Sequence, residues 1–219
     1  MKKINIAIDG PAGAGKSTVA KLVAQNLDFV YIDTGAMYRA LTYKAIEKRI
    51  DLQDALELKK LLTETTIKLT ADNQVYVDDE NVSEKIRTEQ VTNSVSFVAS
   101  YKEVRTDMLI TQQKLASNGG TVMDGRDIGT AVLPNAKVKI FLSATVEERA
   151  KRRYEENIAK GFTTNLDKLK TEISLRDKRD SQRETAPLKK AVDAIEIDST
   201  AMTITEVVES ILQIVIEKQ

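Results

Sequence analysis

The chain opens on a short apolar run, Ile4-Asn5-Ile6-Ala7-Ile8, cut off by Asp9. Similar runs recur at 29–33, 121–124, 138–142 and 194–198, and each predicts a short buried strand. Between them the apolar positions follow helical spacing. Val19, Leu22, Val23 and Leu27 share one face of a predicted helix over 17–27. Further helices are predicted over 36–48 with Thr34 as cap, and over 54–64, 88–99, 101–118 and 166–184. The last helix starts at a capping box, Thr203-Ile204-Thr205-Glu206, and its stripe is Ile204, Val207, Val208, Ile211, Leu212 and Val215.

One region breaks this pattern. Residues 66–71 and 74–77 alternate with period two around Asp72-Asn73, which predicts an antiparallel hairpin with one wet face, ended by Asp78-Asp79-Glu80-Asn81. The rest implies an α/β fold: a doubly wound, five-stranded parallel sheet with helices on both faces, the hairpin being an insertion.

Composition narrows the function. At 219 residues the chain can bury one sizeable core. Lys plus Arg equals Asp plus Glu at 33 each, so no global field attracts nucleic acid or an anionic membrane, and any anion site must be local. The absence of Cys removes disulfides and thiol chemistry; the absence of His removes the usual general base. Met1-Lys2-Lys3 superficially resembles the start of a signal peptide, but Asp9 interrupts the apolar segment behind it. No uncharged apolar run approaches the ~18 residues of a membrane span. The expectation is a cytoplasmic protein, monomeric by default, with no nucleic-acid or membrane partner.

The chemistry begins at Gly10-Pro11-Ala12-Gly13-Ala14-Gly15-Lys16-Ser17-Thr18, between the first strand and the first helix. The spacing fits the phosphate-binding loop G-x-x-x-x-G-K-[ST]. Glycines let successive amides turn inward around phosphate oxygens, and the following helix aims its amino-terminal dipole at the same anion. Lys16 would reach the β- and γ-phosphates of a nucleoside triphosphate, and the Ser17 hydroxyl would ligate Mg²⁺.

Four of the five predicted strands end in Asp: Asp9, Asp33, Asp124 and Asp198. Ligands of such sheets sit at that edge, although a lone Asp there is often only a turn residue, the reading held for Asp198 and partly for Asp33. Phosphoryl transfer also needs dense positive charge. Candidates are Arg39, Arg105 and Arg126, then Arg176, Arg179 and Arg183 on one helix face, where a solvated face laced with carboxylates is the simpler explanation. A basic helix, opened by a capping box from Thr145 to Glu148, carries Arg149, Lys151, Arg152 and Arg153 and ends at Gly161. It could close over a triphosphate as a lid. A phosphate acceptor needs no general base, since its second pKa near ~6 leaves it mostly dianionic. A hydroxyl acceptor would call on Asp33, Asp124 or Asp127.

The motifs together resemble those of bacterial cytidylate (CMP) kinases, end to end. The matching segments are 8–17, Asp33-Thr34-Gly35-Ala36-Met37-Tyr38-Arg39, Val82-Ser83-Glu84-Lys85-Ile86-Arg87, Asp124-Gly125-Arg126-Asp127-Ile128-Gly129-Thr130, Arg176-Asp177-Lys178-Arg179-Asp180, Ala186-Pro187-Leu188 and Asp198-Ser199-Thr200. The resemblance implies one kinase domain: a core at 1–33, 111–148 and 166–219, a CMP-binding excursion at 34–110, and a lid at 149–165. It implies ATP, with Mg²⁺, as donor and CMP or dCMP as acceptor. By the same resemblance, Thr34, Arg39, Arg126 and Arg183 would hold the acceptor phosphate. Ser96, Arg105 and Asp127 would read the cytosine edge, and Arg176 and Asp180 the ribose; Tyr38 and Asp124 belong to the same site. Lys16, Arg126, Arg183 and a lid arginine, taken as Arg153 with Arg149 and Arg152 left open beside it, would serve the transfer itself. The family often has Ser where Thr34 stands. Alternatives are a related kinase acting on UMP, AMP or a hydroxyl, a nucleotide-dependent switch such as a GTPase, for which no Asn-Lys-x-Asp segment is found, or a scaffold without turnover.

Overall fold

The structure is a computed structural model that describes residues 4–159 and 161–218; Met1-Lys2-Lys3 lie outside the described residues. The chain runs through β1 (Asn5–Asp9), α1 (Lys16–Leu27), β2 (Val30–Asp33), α2 (Thr34–Glu47) and α3 (Ala55–Thr63). Three short strands follow, β3 (Ile67–Leu69), β4 (Val75–Val77) and β5 (Glu80–Asn81). Then come α4 (Glu89–Val98), α5 (Lys102–Leu115), β6 (Thr121–Gly125), β7 (Val138–Ser143), α6 (Val146–Ala159), α7 (Leu166–Gln182), β8 (Ile195–Asp198) and α8 (Ile204–Lys218).

Five strands form a parallel sheet in the order β2-β6-β1-β7-β8. Both of its faces are covered, which is why its strands read as continuous apolar runs. On one face Ile6, Ile8, Val122, Ile140 and Leu142 pack on Val19 and Val23 of α1 and on Val207, Ile211 and Val215 of α8. On the other, Ala7, Ile32 and Met123 meet Ala116, Ile128 and Val132. The register sets Asp33 beside Asp124 and Asp9 beside Gly125, so the three strand-end aspartates share one edge.

A second core lies beyond that edge. Met37, Leu41 and Ala45 of α2 pack with Leu58 and Leu61 of α3, Val95 and Val98 of α4, and Val104 and Met108 of α5. The small sheet covers α2 through Ala36, Ala40, Val75, Val77, Val82 and Ile86. Ala150, Leu169 and Ile173 join α6 to α7.

Several local expectations change. The insertion has three strands rather than two, because Asp78 and Asp79 take left-handed φ of 48° and 70° and make the turn that pairs Val77 with Glu80. Asp tolerates that conformation better than most residues. Thr34 is not the cap of α2. The Asp33 carboxylate accepts from the Ala36 amide at 2.8 Å, freeing the Thr34 hydroxyl to donate to the Asp124 carbonyl at 2.7 Å. The box before α6 closes on one side only: the Glu148 amide reaches Thr145 Oγ1 at 3.3 Å, but the Glu148 carboxylate accepts from Arg152. The box at Thr203 and Glu206 closes on both sides. Ile204 leaves the α8 stripe and is half exposed, since as the first helical residue it faces a cavity mouth.

Candidate active site

The loop between β1 and α1 is built by close approach. Gly10 has φ +151°, and a Cβ there would stand 2.0 Å from the Leu142 carbonyl oxygen, so no side chain fits without moving β7. Gly15 occupies the N-cap of α1 in a left-handed conformation with no side-chain cap, leaving the first-turn amides open to an anion. Lys16 folds back over the loop, its Nζ donating to the Pro11 carbonyl at 2.7 Å. Burial, reinforced by the Arg126 charge, lowers its pKa, against the pull of Asp124. An arriving anion would reverse that.

Beside the lysine, Ser17 Oγ donates to Asp124 Oδ2 at 3.0 Å, and Asp124 Oδ1 accepts from the Tyr31 hydroxyl at 2.8 Å. Burial and the neighbouring Asp33 raise the Asp124 pKa. A hydroxyl and a buried carboxylate that gains from a positive neighbour fit a small divalent cation, of the kind that takes one or two protein oxygens and fills its shell with phosphate and water.

A cavity of about 830 Å³ extends from this loop between α2, α4, the segment after β6, α6 and α7. Arg39, Arg87, Arg126, Arg153, Arg176 and Arg183 all line it. They oppose one another. Burial, then the Arg153 charge, lowers Arg39 to about 10; burial, then Arg126 and Arg39, lowers Arg176 to about 9. Arg176 Nε is buried without a hydrogen-bond partner. Asp180 provides part of the counter-charge, accepting from Arg126 Nε at 2.9 Å with Arg176 Nε at 3.9 Å. Burial pushes Asp180 upward, and Arg126 and Arg176 outweigh it, so its pKa lies below the usual carboxylate range. This surface suits a polyanion.

The same cavity holds a tightly paired group. Arg105 and Asp127 form a buried ion pair, and Arg183 Nη2 donates to the other Asp127 oxygen at 3.2 Å. Arg105 also donates to the Ala99 carbonyl at 3.1 Å and lies 5.6 Å from the centre of the Tyr38 ring. Ser96, on α4, lines the same pocket, while its hydroxyl accepts from Arg179 at 2.7 Å. Arg39 donates to the Ile86 carbonyl at 3.1 Å and to Thr92 Oγ1 at 2.8 Å.

The sequence-expected residues therefore converge on one cavity: 12–18 of the loop, Thr34, Tyr38, Arg39, Ser96, Arg105, Asp124, Arg126, Asp127, Arg153, Arg176, Asp180 and Arg183 all line it. The arginines of the basic helix divide by role. Arg149 is buried and committed to the loop, bonding the carbonyls of Ala12 and Ala144 at 2.9 Å each and Asp177 at 2.6 Å. Arg152 holds the Ser199 carbonyl at 2.6 Å and also lines the cavity. Arg153 faces the cavity, with Glu156 3.9 Å away. Of Arg176, Arg179 and Arg183, only Arg179 turns away, toward α4. Asp9, Arg87, Thr92 and Asp177 were not singled out from sequence as site residues. Asp9 is visible as a strand-end carboxylate, and Arg87 and Asp177 stand inside matched segments without a site role of their own; Thr92 carries no local signal.

A glycine loop between the first strand and first helix, a β2-β6-β1-β7-β8 parallel sheet and an arginine-lined cavity at its carboxyl edge define a P-loop kinase fold. A gluconokinase from Sinorhizobium meliloti shares it over 99% of this chain and 94% of that one, at TM-score 0.50 and 15% identity. An uncharacterised protein from Eubacterium ventriosum matches 99% of both chains at TM-score 0.54 and 14% identity. The family profile described as cytidylate kinase matches residues 6–217, and the chain belongs to that family. Among curated relatives, the cytidylate kinase of Bacillus licheniformis is 60% identical over 99% of this chain and 98% of its own. That of Halalkalibacterium halodurans is 58% identical over the full length of both.

Proposed function

We propose that the protein phosphorylates CMP and dCMP with ATP. An acceptor phosphate oxygen attacks the γ-phosphorus in line, the bond to the β-phosphate oxygen breaks, and CDP or dCDP leaves with ADP. The observation that supports this reading is that the buried Arg105–Asp127 pair and Ser96 line the same cavity as the glycine loop. A carboxylate there accepts from the exocyclic amine of cytosine, where uracil would present a carbonyl.

Residues 10–18 hold the ATP phosphates, with Lys16 on the terminal pair. Thr34, Arg39, Arg126 and Arg183 grip the acceptor phosphate; Arg176 and Asp180 take the ribose, and Tyr38 closes the base pocket against Arg105. Ser17 and Asp124 would hold Mg²⁺, which would supply positive charge against that of the triphosphate. Arg153 meets the transferring group. The carboxylates a hydroxyl acceptor would need are engaged elsewhere: Asp33 caps α2, Asp124 bonds Ser17 and Tyr31, and Asp127 pairs with two arginines. That favours a phosphate acceptor, which supplies its own nucleophile.

In this reading the core comprises 1–33, 111–148 and 166–219, the acceptor-binding excursion 34–110 and the lid 149–165. The protein acts as a cytoplasmic monomer on small molecules alone. Among the described residues no helix is long and apolar enough to cross a membrane. Incubation with ATP, Mg²⁺ and CMP followed by chromatography tests the reading: CDP and ADP are expected in equal amounts, and ADP without CDP would overturn it.

A further inference from the structure

Arg179 stands outside the cavity, behind α4. Its Nη1 donates to Ser96 Oγ at 2.7 Å, its guanidinium lies 4.4 Å from the centre of the Phe97 ring, and its Nε points back at the Leu175 carbonyl at 3.4 Å. Two anchors and an aromatic face thus fix the fork that reaches Ser96. Ser96 is 6% exposed and lines the cavity beside Arg105 and Asp127. Among the described residues its hydroxyl has this one hydrogen bond, and it is as acceptor.

A serine hydroxyl in isolation is ambiguous: it offers one proton and two lone pairs, and rotates to suit its partner. A charged donor on its oxygen removes that freedom. One lone pair is occupied, the positive charge makes the oxygen a poorer acceptor, and the O–H is polarised into a better donor. Cytosine presents acceptors at N3 and O2. Uracil presents N3–H, a donor. Uracil keeps the O2 acceptor, so the difference lies at N3: a Ser96 held as a donor toward N3 matches cytosine and opposes uracil.

We infer that Arg179 is a specificity-determining positioning residue, which fixes the hydrogen-bond polarity of Ser96 so that the site favours cytosine over uracil without itself touching the nucleotide. The inference rests on the function proposed above and adds a residue to the discrimination attributed there to Asp127.

A double-mutant cycle tests it, with kcat and KM for CMP and UMP measured in the wild type, Arg179→Met, Ser96→Ala and the double variant. Methionine keeps an unbranched stem against Phe97 while removing the donor; Arg179→Lys, which keeps a charged donor, replaces it if the methionine variant does not fold. In Arg179→Met the CMP to UMP ratio of kcat/KM should shrink roughly tenfold, mainly through KM for CMP. In the Ser96→Ala background the same change should leave the ratio within about twofold. If the lysine variant is used, a preserved ratio is expected, and a collapsed one overturns the inference. An unchanged ratio in Arg179→Met, equal losses on both nucleotides, or the same effect in both backgrounds also overturns it. A wild type with no preference for CMP over UMP would instead refute the functional reading itself.

Discussion

Asp9 Oδ2 accepts from the Gly129 amide at 2.7 Å, while its Oδ1 accepts from the neighbouring Ile128 amide at the same distance. Asp9 ends the strand that delivers the phosphate loop; Ile128 and Gly129 follow directly on Arg126 and Asp127. One buried carboxylate therefore ties the strand that leads into the loop to the backbone that follows Arg126 and Asp127. Burial raises the Asp9 pKa to about 6, and the two amides only partly offset this.

That shift fixes a pH dependence. Because the folded pKa lies above the unfolded value, the folded state keeps its proton between pH 4 and 6 while the unfolded state has lost it. The stability contributed by this proton is full below pH 4 and is lost as pH rises to 6. Urea denaturation across that range should show wild-type stability falling relative to Asp9→Asn by roughly 3 kcal/mol. A difference that is flat with pH would contradict the assignment.

Arg149 and Arg153 lie on one helix but should fail differently. Arg149→Met removes a buried guanidinium and leaves the Asp177 carboxylate, among the described residues, with only the Ala12 amide, so it should cost about 3 kcal/mol of stability and raise KM for ATP through the loosened Ala12 segment. Arg153→Met removes a group facing the cavity and should change stability by less than about 0.5 kcal/mol while lowering kcat at least about a hundredfold. Thermal denaturation and steady-state kinetics on both variants separate the roles.

Asp124→Asn tests the cation site. Its carboxyl is buried and its pKa raised, so replacing it by a neutral amide relieves a desolvation cost, and the thermal midpoint at pH 8 should be no lower than that of the wild type. The Mg²⁺ concentration for half-maximal rate at fixed ATP should rise by roughly ten- to a hundredfold. Loss of stability with unchanged Mg²⁺ dependence would assign Asp124 a structural role only.

Asp127→Asn is a gentler probe of the base site than Asp127→Ala, which would strand two buried arginines. The amide keeps the shape and can donate to the uracil carbonyl. The ratio of kcat/KM for CMP over UMP should fall by about tenfold or more; parallel losses on both substrates would remove Asp127 from base recognition.

The fold was readable because its sheet is buried on both faces, and apolar runs between helical periods specify that arrangement without ambiguity. The loop was readable because its backbone excludes other residues, as the contact between Gly10 and Leu142 demonstrates. The third small strand was missed because its turn depends on paired left-handed aspartates, a backbone property rather than a pattern of polarity. The partners of Arg149 and Arg179 lie on other elements, Asp177 on α7 and Ser96 on α4, so helical spacing carried no trace of them.

The most direct test of the account compares acceptors in a coupled ADP-release assay with ATP and Mg²⁺ in excess. Turnover with CMP and dCMP should exceed that with UMP, AMP and GMP by at least about tenfold in kcat/KM. Equal rates with CMP and AMP, or no turnover of CMP, would contradict it.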